Sequence, residues 1–250
     1  MLAKSNLIII CTLSAIVIAC SSLSAFEKRD QDAANIHLQL GQHYLNMNML
    51  DIAKENLELA LKDDSSNVQA HNTLAVLYNR IGQYNNAREE FNTALNLASD
   101  DLGVLNNFGQ FLCERGEFKQ GMELLNKAAF NPLNRQQWLA LSNAGYCAVA
   151  MNNKTEAENY FKQALQANET YAPALLAMQK ISFQRNDLWA AKGYWQRSLK
   201  VGEQNPESLF IALKTEHALG NNAIAKEYQR LLTETFPLSN EAKQSKTIDY

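Results

Sequence analysis

The chain has 250 residues, of which 46% are hydrophobic and 20% are charged. This apolar content is sufficient for a folded core, and ten glycines and four prolines are too few for a disordered chain. The formal net charge of -3 offers no basic surface to phosphate backbones, so we expect no nucleic acid partner.

Residues 1–19 have the features of an export signal. Lys4 precedes a mostly apolar run over residues 7–19, which is shorter than the roughly 20 residues of a membrane-spanning helix. The run leads into VIAC at residues 17–20, which resembles the lipobox of bacterial lipoproteins. This resemblance implies a lipidated Cys20 and, with Ser21 next to it, an outer-membrane protein that faces the periplasm. The alternative is ordinary cleavage near Ser22 or Ser24 and release into the periplasm.

Small residues recur along the rest of the chain with a period near 34. The most regular series is spaced 34, 34, 36, 34 and 34 residues apart and consists of Ala53, Ala87, Gly121, Ala157, Ala191 and Ala225. Such positions allow two helix backbones to approach closely, and this period is typical of tetratricopeptide (TPR) helical hairpins. We therefore predict six repeats, at residues 34–67, 68–101, 102–135, 138–171, 172–205 and 206–239.

The turns inside the hairpins have their own signature. Glycine or asparagine, which tolerate a left-handed backbone, occupies the expected helix end at Gly82, Gly116, Asn152, Asn186 and Gly220. No alternating strand pattern is present in the sequence. We predict an all-α, right-handed superhelical solenoid, with a lipidated tether at residues 20–33 and a polar tail at residues 240–250.

The sequence lacks the residue patterns of an enzyme. His37 and His71 occupy the same repeat position, where helix packing explains them better than catalysis, while His43 and His217 fit surface or groove positions. A Cys-x-x-Cys pair, a His-Glu-x-x-His motif and a glycine-rich phosphate loop are all missing from the sequence. We expect a binding scaffold with no catalytic residues, metal, cofactor or small-molecule substrate.

The first helix of each repeat lines the concave groove in hairpins of this type. Inward positions in the first three repeats are rich in uncharged amides, which can pair with the main chain of a bound peptide. The groove residues that we predict are Leu38, Gln39, Gln42, Leu45, Asn72, Asn79, Asn106, Gln110, Asn143 and Tyr146. The last three repeats are more apolar, with Val149, Leu176, Phe183, Phe210 and Ile211. Contact with a neighbouring hairpin, or with a terminal helix folded into the groove, is the alternative role for both sets.

Three segments carry a more specific signal than the repeat itself. Residues 106–113, 129–133 and 143–148 read NNFGQFLC, AFNPL and NAGYCA, and with the lipobox they resemble the PilF/PilW family of outer-membrane lipoproteins. The resemblance implies a pilotin that helps the secretin of the type IV pilus to reach the outer membrane or to multimerise there. The alternative is a scaffold for another envelope machine, such as peptidoglycan synthesis or outer-membrane protein assembly.

Two cysteines remain after export and lipidation. Cys113 and Cys147 lie on the first helices of adjacent repeats at similar heights, in a compartment that favours disulfides. We predict that they are paired if their α-carbons lie within about 7 Å. The alternative is that both are small buried residues that only pack.

Overall fold

The computed structural model describes residues 31–202 and 204–248, and within them it contains thirteen helices and no strand. The signal, Cys20 and most of the predicted tether lie outside the described residues. In the described part, no helix has both the length and the hydropathy that a membrane span requires. Helix α1 covers residues 31–46, so the last three residues of the predicted tether are helical.

Twelve further helices follow α1. They are α2 (Leu50–Asp63), α3 (Val68–Arg80), α4 (Tyr84–Leu97), α5 (Leu102–Glu114), α6 (Phe118–Ala129), α7 (Gln137–Ala150), α8 (Lys154–Ala167), α9 (Ala172–Gln184), α10 (Leu188–Lys200), α11 (Pro206–Ala218), α12 (Asn222–Thr235) and α13 (Asn240–Ser245). The chain divides into two compact units, one up to Asn107 and one from Phe108 onward. In each unit, helices that follow one another in sequence pack together as hairpins.

The turns have the backbone that the sequence predicts. Gly82, Gly116 and Gly220 have φ of 77°, 79° and 79°, and Asn152 and Asn186 have φ of 58° and 61°. This left-handed conformation ends the first helix of a hairpin and lets the second helix fold back. The predicted glycine and asparagine turns are confirmed.

Small residues hold the hairpins together in the first unit. Ala53, Leu57 and Ala60 on α2 are completely buried. A β-carbon on Gly41 of α1 would lie 2.6 Å from Cγ of Leu57, so only glycine permits this approach. The repeat period therefore records a packing requirement.

The C-terminal residues add a helix where the sequence predicts a polar tail. Ala242 of α13 is 1% exposed and packs with Trp195, Leu209, Ala212 and Leu232. Ser239 caps α13 by accepting a hydrogen bond from the N–H of Ala242. A single alanine gives little sequence signal, but it covers an apolar surface that the sixth hairpin would otherwise expose.

A histidine joins the two helices of the second hairpin. Nδ1 of His71 lies 2.6 Å from Oε2 of Glu90, and Nε2 lies 3.1 Å from the carbonyl oxygen of Ser65. Both partners are acceptors, so only the doubly protonated imidazolium satisfies both. The hydrogen bond to Glu90 is the main cause that raises the pKa of His71, against burial, which lowers it.

We expect the stabilisation from His71 to depend on pH. A raised pKa in the folded state gives stability that is complete below the ordinary value of 6.5 and is lost as pH rises through the folded pKa. His71→Gln should therefore lower the free energy of unfolding at pH 5.5 to 6 by on the order of 1 kcal/mol more than it does near pH 9. Urea unfolding at a series of pH values measures this, and in a Glu90→Gln background the dependence should be much smaller, with only Ser65 and Asp64 still raising the pKa of His71. An equal effect of His71→Gln at all pH values would contradict the assignment.

Candidate protein-binding surface

The predicted groove residues of the first unit divide into buried and accessible sets. Leu38, Leu45 and Asn72 are only 9%, 6% and 5% exposed. Gln39 is exposed, whereas Gln42 is half-buried and donates a hydrogen bond to Oγ1 of Thr73 at 3.4 Å. The three buried side chains belong to the packing between helices, which is the alternative role that the sequence leaves open for them.

Some amide side chains in the first unit form hydrogen bonds with one another. Nδ2 of Asn106 donates to Oδ1 of Asn107 at 3.1 Å, and Nδ2 of Asn107 donates to Oδ1 of Asn72 at 3.2 Å. Asn79 is half-buried. Since a buried amide without a partner is costly, Asn72 has a structural role between α3 and α5. Asn106 and Asn79 keep some accessible surface.

The second unit has a polar cleft of about 190 Å³ between α5 and α7. Gln110 is exposed and accepts a hydrogen bond from Nδ2 of Asn143 at 3.3 Å. Cys113 and Cys147 also line this cleft, with sulfur atoms at bonding distance and α-carbons 5.4 Å apart. The structure therefore meets the distance condition that the sequence could not decide.

Tyr146 is the residue that three clefts share. Besides the polar cleft, it borders a cleft of about 380 Å³ between α7, α8 and α9 and one of about 140 Å³ beside α11. Its hydroxyl donates to the carbonyl oxygen of Pro173 at 3.0 Å, and its ring meets that of Phe161 edge-on at 5.0 Å. Burial, with smaller effects of Tyr171 and Glu207, raises the pKa of Tyr146 to about 12, so the hydroxyl remains a donor.

The other apolar residues predicted in the second unit differ in their exposure and in their contacts. Val149 is 49% exposed, whereas Ile211 is buried. Nζ of Lys214 lies over the rings of Phe183 and Phe210, at 5.0 and 4.4 Å from their centroids. This cation–π contact already occupies the two phenylalanine faces, so Tyr146 and Val149 are the better candidates for partner contact.

Several residues that line the largest of these clefts are not among the groove residues predicted from the sequence. Ala177, Lys180 and Gln184 occupy inward positions of α9, the first helix of the fifth repeat, so the pattern of inward positions could have identified them. Lys154 belongs to the second helix of its hairpin, for which that pattern makes no prediction. No cluster of His, Cys, Asp or Glu suited to a metal ion is present among residues 31–202 and 204–248.

The chain is similar in sequence to known tetratricopeptide repeat proteins. A model of the tetratricopeptide repeat family matches residues 68–101 and 140–171. The chain is 27% identical over 218 residues to the type IV pilus assembly protein PilF of Pseudomonas aeruginosa, across 87% of this chain and 86% of that protein. It is 36% identical over 132 residues to an uncharacterised protein of Haemophilus influenzae, across 53% of this chain and 74% of that protein.

Solved structures show the same likeness. The structure of PilF from Pseudomonas aeruginosa has a TM-score of 0.76 and 27% identity, over 87% of this chain and 98% of that one. PilW, described as a widely conserved type IV pilus biogenesis factor, has a TM-score of 0.74 and 29% identity, over 86% and 98%. The predicted all-α fold of tetratricopeptide hairpins is therefore confirmed, and these neighbours indicate a helical solenoid.

Proposed function

The chain is a PilF/PilW-like tetratricopeptide repeat protein, and from this premise we propose that it is an outer-membrane lipoprotein that acts as a pilotin in type IV pilus biogenesis. In this role it binds the pilus secretin and promotes its localisation or multimerisation in the outer membrane. The observation that carries the proposal is the match to a pilus assembly protein across 87% of this chain and 86% of that relative. The match covers far more than one generic hairpin.

Two accessible surfaces support the contact with a protein partner. In the first unit these are the amides of Gln39, Gln42, Asn79 and Asn106. In the second unit they are Gln110, Asn143 and Tyr146, which border clefts that have Tyr146 in common. Amides can pair with a peptide main chain without requiring a charge, and a fixed aromatic ring provides apolar contact area. A catalytic step has no part in this proposal.

The membrane anchor in this proposal is the lipidated Cys20. It rests on the lipobox at residues 17–20. Several acyl chains, each buried methylene contributing about 0.8 kcal/mol, would hold the protein at the membrane surface. In the oxidising periplasm, we further propose that Cys113 and Cys147 are joined as a disulfide.

One pair of strains tests both the anchor and the partner. We expect the wild-type protein to fractionate with the outer membrane and, after gentle solubilisation, to capture the secretin. Cys20→Ser removes the acylated thiol, so the variant should move to the soluble fraction and most of the secretin capture from membranes should be lost. Immunoblots of the fractions and mass spectrometry of the captured proteins measure the two effects.

Each part of the proposal has its own contrary outcome. Outer-membrane retention of Cys20→Ser would refute the anchor. A wild-type capture that contains components of peptidoglycan synthesis or outer-membrane protein assembly, and no secretin, would replace the pilotin role by the alternative scaffold role.

A further inference from the structure

The cleft between α7, α8 and α9 has enough volume to accept a large side chain of a partner. It has a volume of about 380 Å³, within the range of roughly 300 to 1,000 Å³ that is usual for ligand pockets. We call it the Tyr146 cleft. The residues that line it are Tyr146, Val149, Asn152, Lys154, Ala157, Phe161, Ala177, Lys180, Ile181 and Gln184.

The apolar walls of the Tyr146 cleft are fixed before any partner binds. Ala157 and Phe161 are completely buried, so they cannot move outward without opening the fourth hairpin. The hydrogen bond to Pro173 and the edge-on contact with Phe161 hold the ring of Tyr146 in place. A rigid aromatic wall costs little conformational entropy on binding, which is typical of interface residues that dominate affinity.

The two charged residues that line the Tyr146 cleft are both lysines, and acidic side chains lie only beside it, at Glu158 and Glu207. Lys154 and Lys180 line it, whereas none of its lining residues, all in the described part of the chain, is acidic. Nζ of Lys180 lies 2.6 Å from Oε1 of Glu207, but both side chains are about half-exposed, at 47% and 54%. Exposed ion pairs contribute about 0 to 1 kcal/mol, so a carboxylate of a partner can compete for Lys180.

From these contacts we propose that the Tyr146 cleft binds an extended protein segment whose large apolar side chain enters the pocket beside an acidic residue. The acidic residue pairs with Lys154 or Lys180. The neighbouring polar cleft, with Gln110 and Asn143, receives the main chain of the same segment. This inference rests on the proposed function only in taking the partner to be a protein, and it adds the chemistry of the segment that is recognised.

A library of random peptides displayed on phage provides a probe that can be used before the partner is identified. We expect the solubilised full chain to enrich peptides with Phe, Leu, Ile or Trp next to Asp or Glu. Ala177→Trp fills the cleft and should weaken binding of a synthetic peptide from the enriched set at least 10-fold. Lys180→Glu should weaken it roughly 5-fold, and Lys119→Glu, an equal charge change on the exposed surface of α6, should leave it unchanged.

The controls distinguish a loss of peptide binding from a loss of folding. Melting temperatures are measured for every variant, and Lys154→Glu, on an exposed side chain, provides a second test if Ala177→Trp unfolds. Enrichment of basic peptides, no enrichment, or binding by both Lys154→Glu and Lys180→Glu that equals binding by wild type would each overturn the inference. Selection of the acidic and apolar pattern without secretin capture would support the cleft and refute the secretin as partner. Secretin capture without any peptide selection would support the secretin as partner and refute the proposed role of the cleft.

Discussion

Loss of the link between Cys113 and Cys147 is expected to lower the free energy of unfolding by about 3 to 4 kcal/mol. The two residues are separated by 34 positions in sequence, and closing a loop of this length removes conformational entropy from the unfolded chain. The double variant Cys113→Ala/Cys147→Ala removes both thiols without leaving buried hydroxyl groups. Urea unfolding of the oxidised wild type and of this variant measures the difference.

Reduction of the wild type provides the matched control. With a strong reductant present, the wild type should unfold within about 1 kcal/mol of the double alanine variant, because the loop constraint is the main difference between them. Thiol titration of denatured, unreduced protein from the periplasm tests the bond itself. Two free thiols per chain would show that the cysteines only pack, which is the alternative that the sequence left open.

Gly121→Val is expected to lower the free energy of unfolding by about 3 kcal/mol or more, because it overpacks the third hairpin. A β-carbon on Gly121 would lie 2.5 Å from Sγ of Cys113, 2.8 Å from the carbonyl oxygen of Gly109 and 3.0 Å from the amide nitrogen of Cys113. Two of these atoms belong to the backbone of α5, so α5 and α6 must move apart to accept any side chain. The other five repeats have alanine at this position.

A second helical glycine serves as the control for Gly121→Val. A β-carbon on Gly193 in α10 would meet nothing within 4 Å. Gly193→Ala should therefore raise the free energy of unfolding by about 0.5 to 1 kcal/mol, since alanine is the better helix former. Thermal and urea unfolding report both variants. Opposite signs are the expected result, and a Gly121→Val protein as stable as wild type would show that the two helices tolerate a wider spacing.

Part of the candidate surface could be predicted from the sequence and part could not. Gln110, Asn143 and Tyr146 occupy inward positions of the first helices, and they border the clefts of the second unit. Leu38 and Asn72 occupy inward positions too, yet they are 9% and 5% exposed. The position of a residue in its repeat predicts the direction in which its side chain leaves the helix axis. Its burial also depends on which side chains of the neighbouring helices pack against it.

The sequence by itself determined the hairpins, their turns and the close helix contacts. Each of these depends on residues near one another in the chain: a glycine or asparagine that permits positive φ at Gly82 or Asn152, and small residues with a period near 34. Only the tertiary structure decided that the α-carbons of Cys113 and Cys147 lie 5.4 Å apart and that Lys154 shares a cleft with Lys180. These distances depend on how far each helix is rotated and shifted against its neighbours, because stacked side chains of different sizes set that packing.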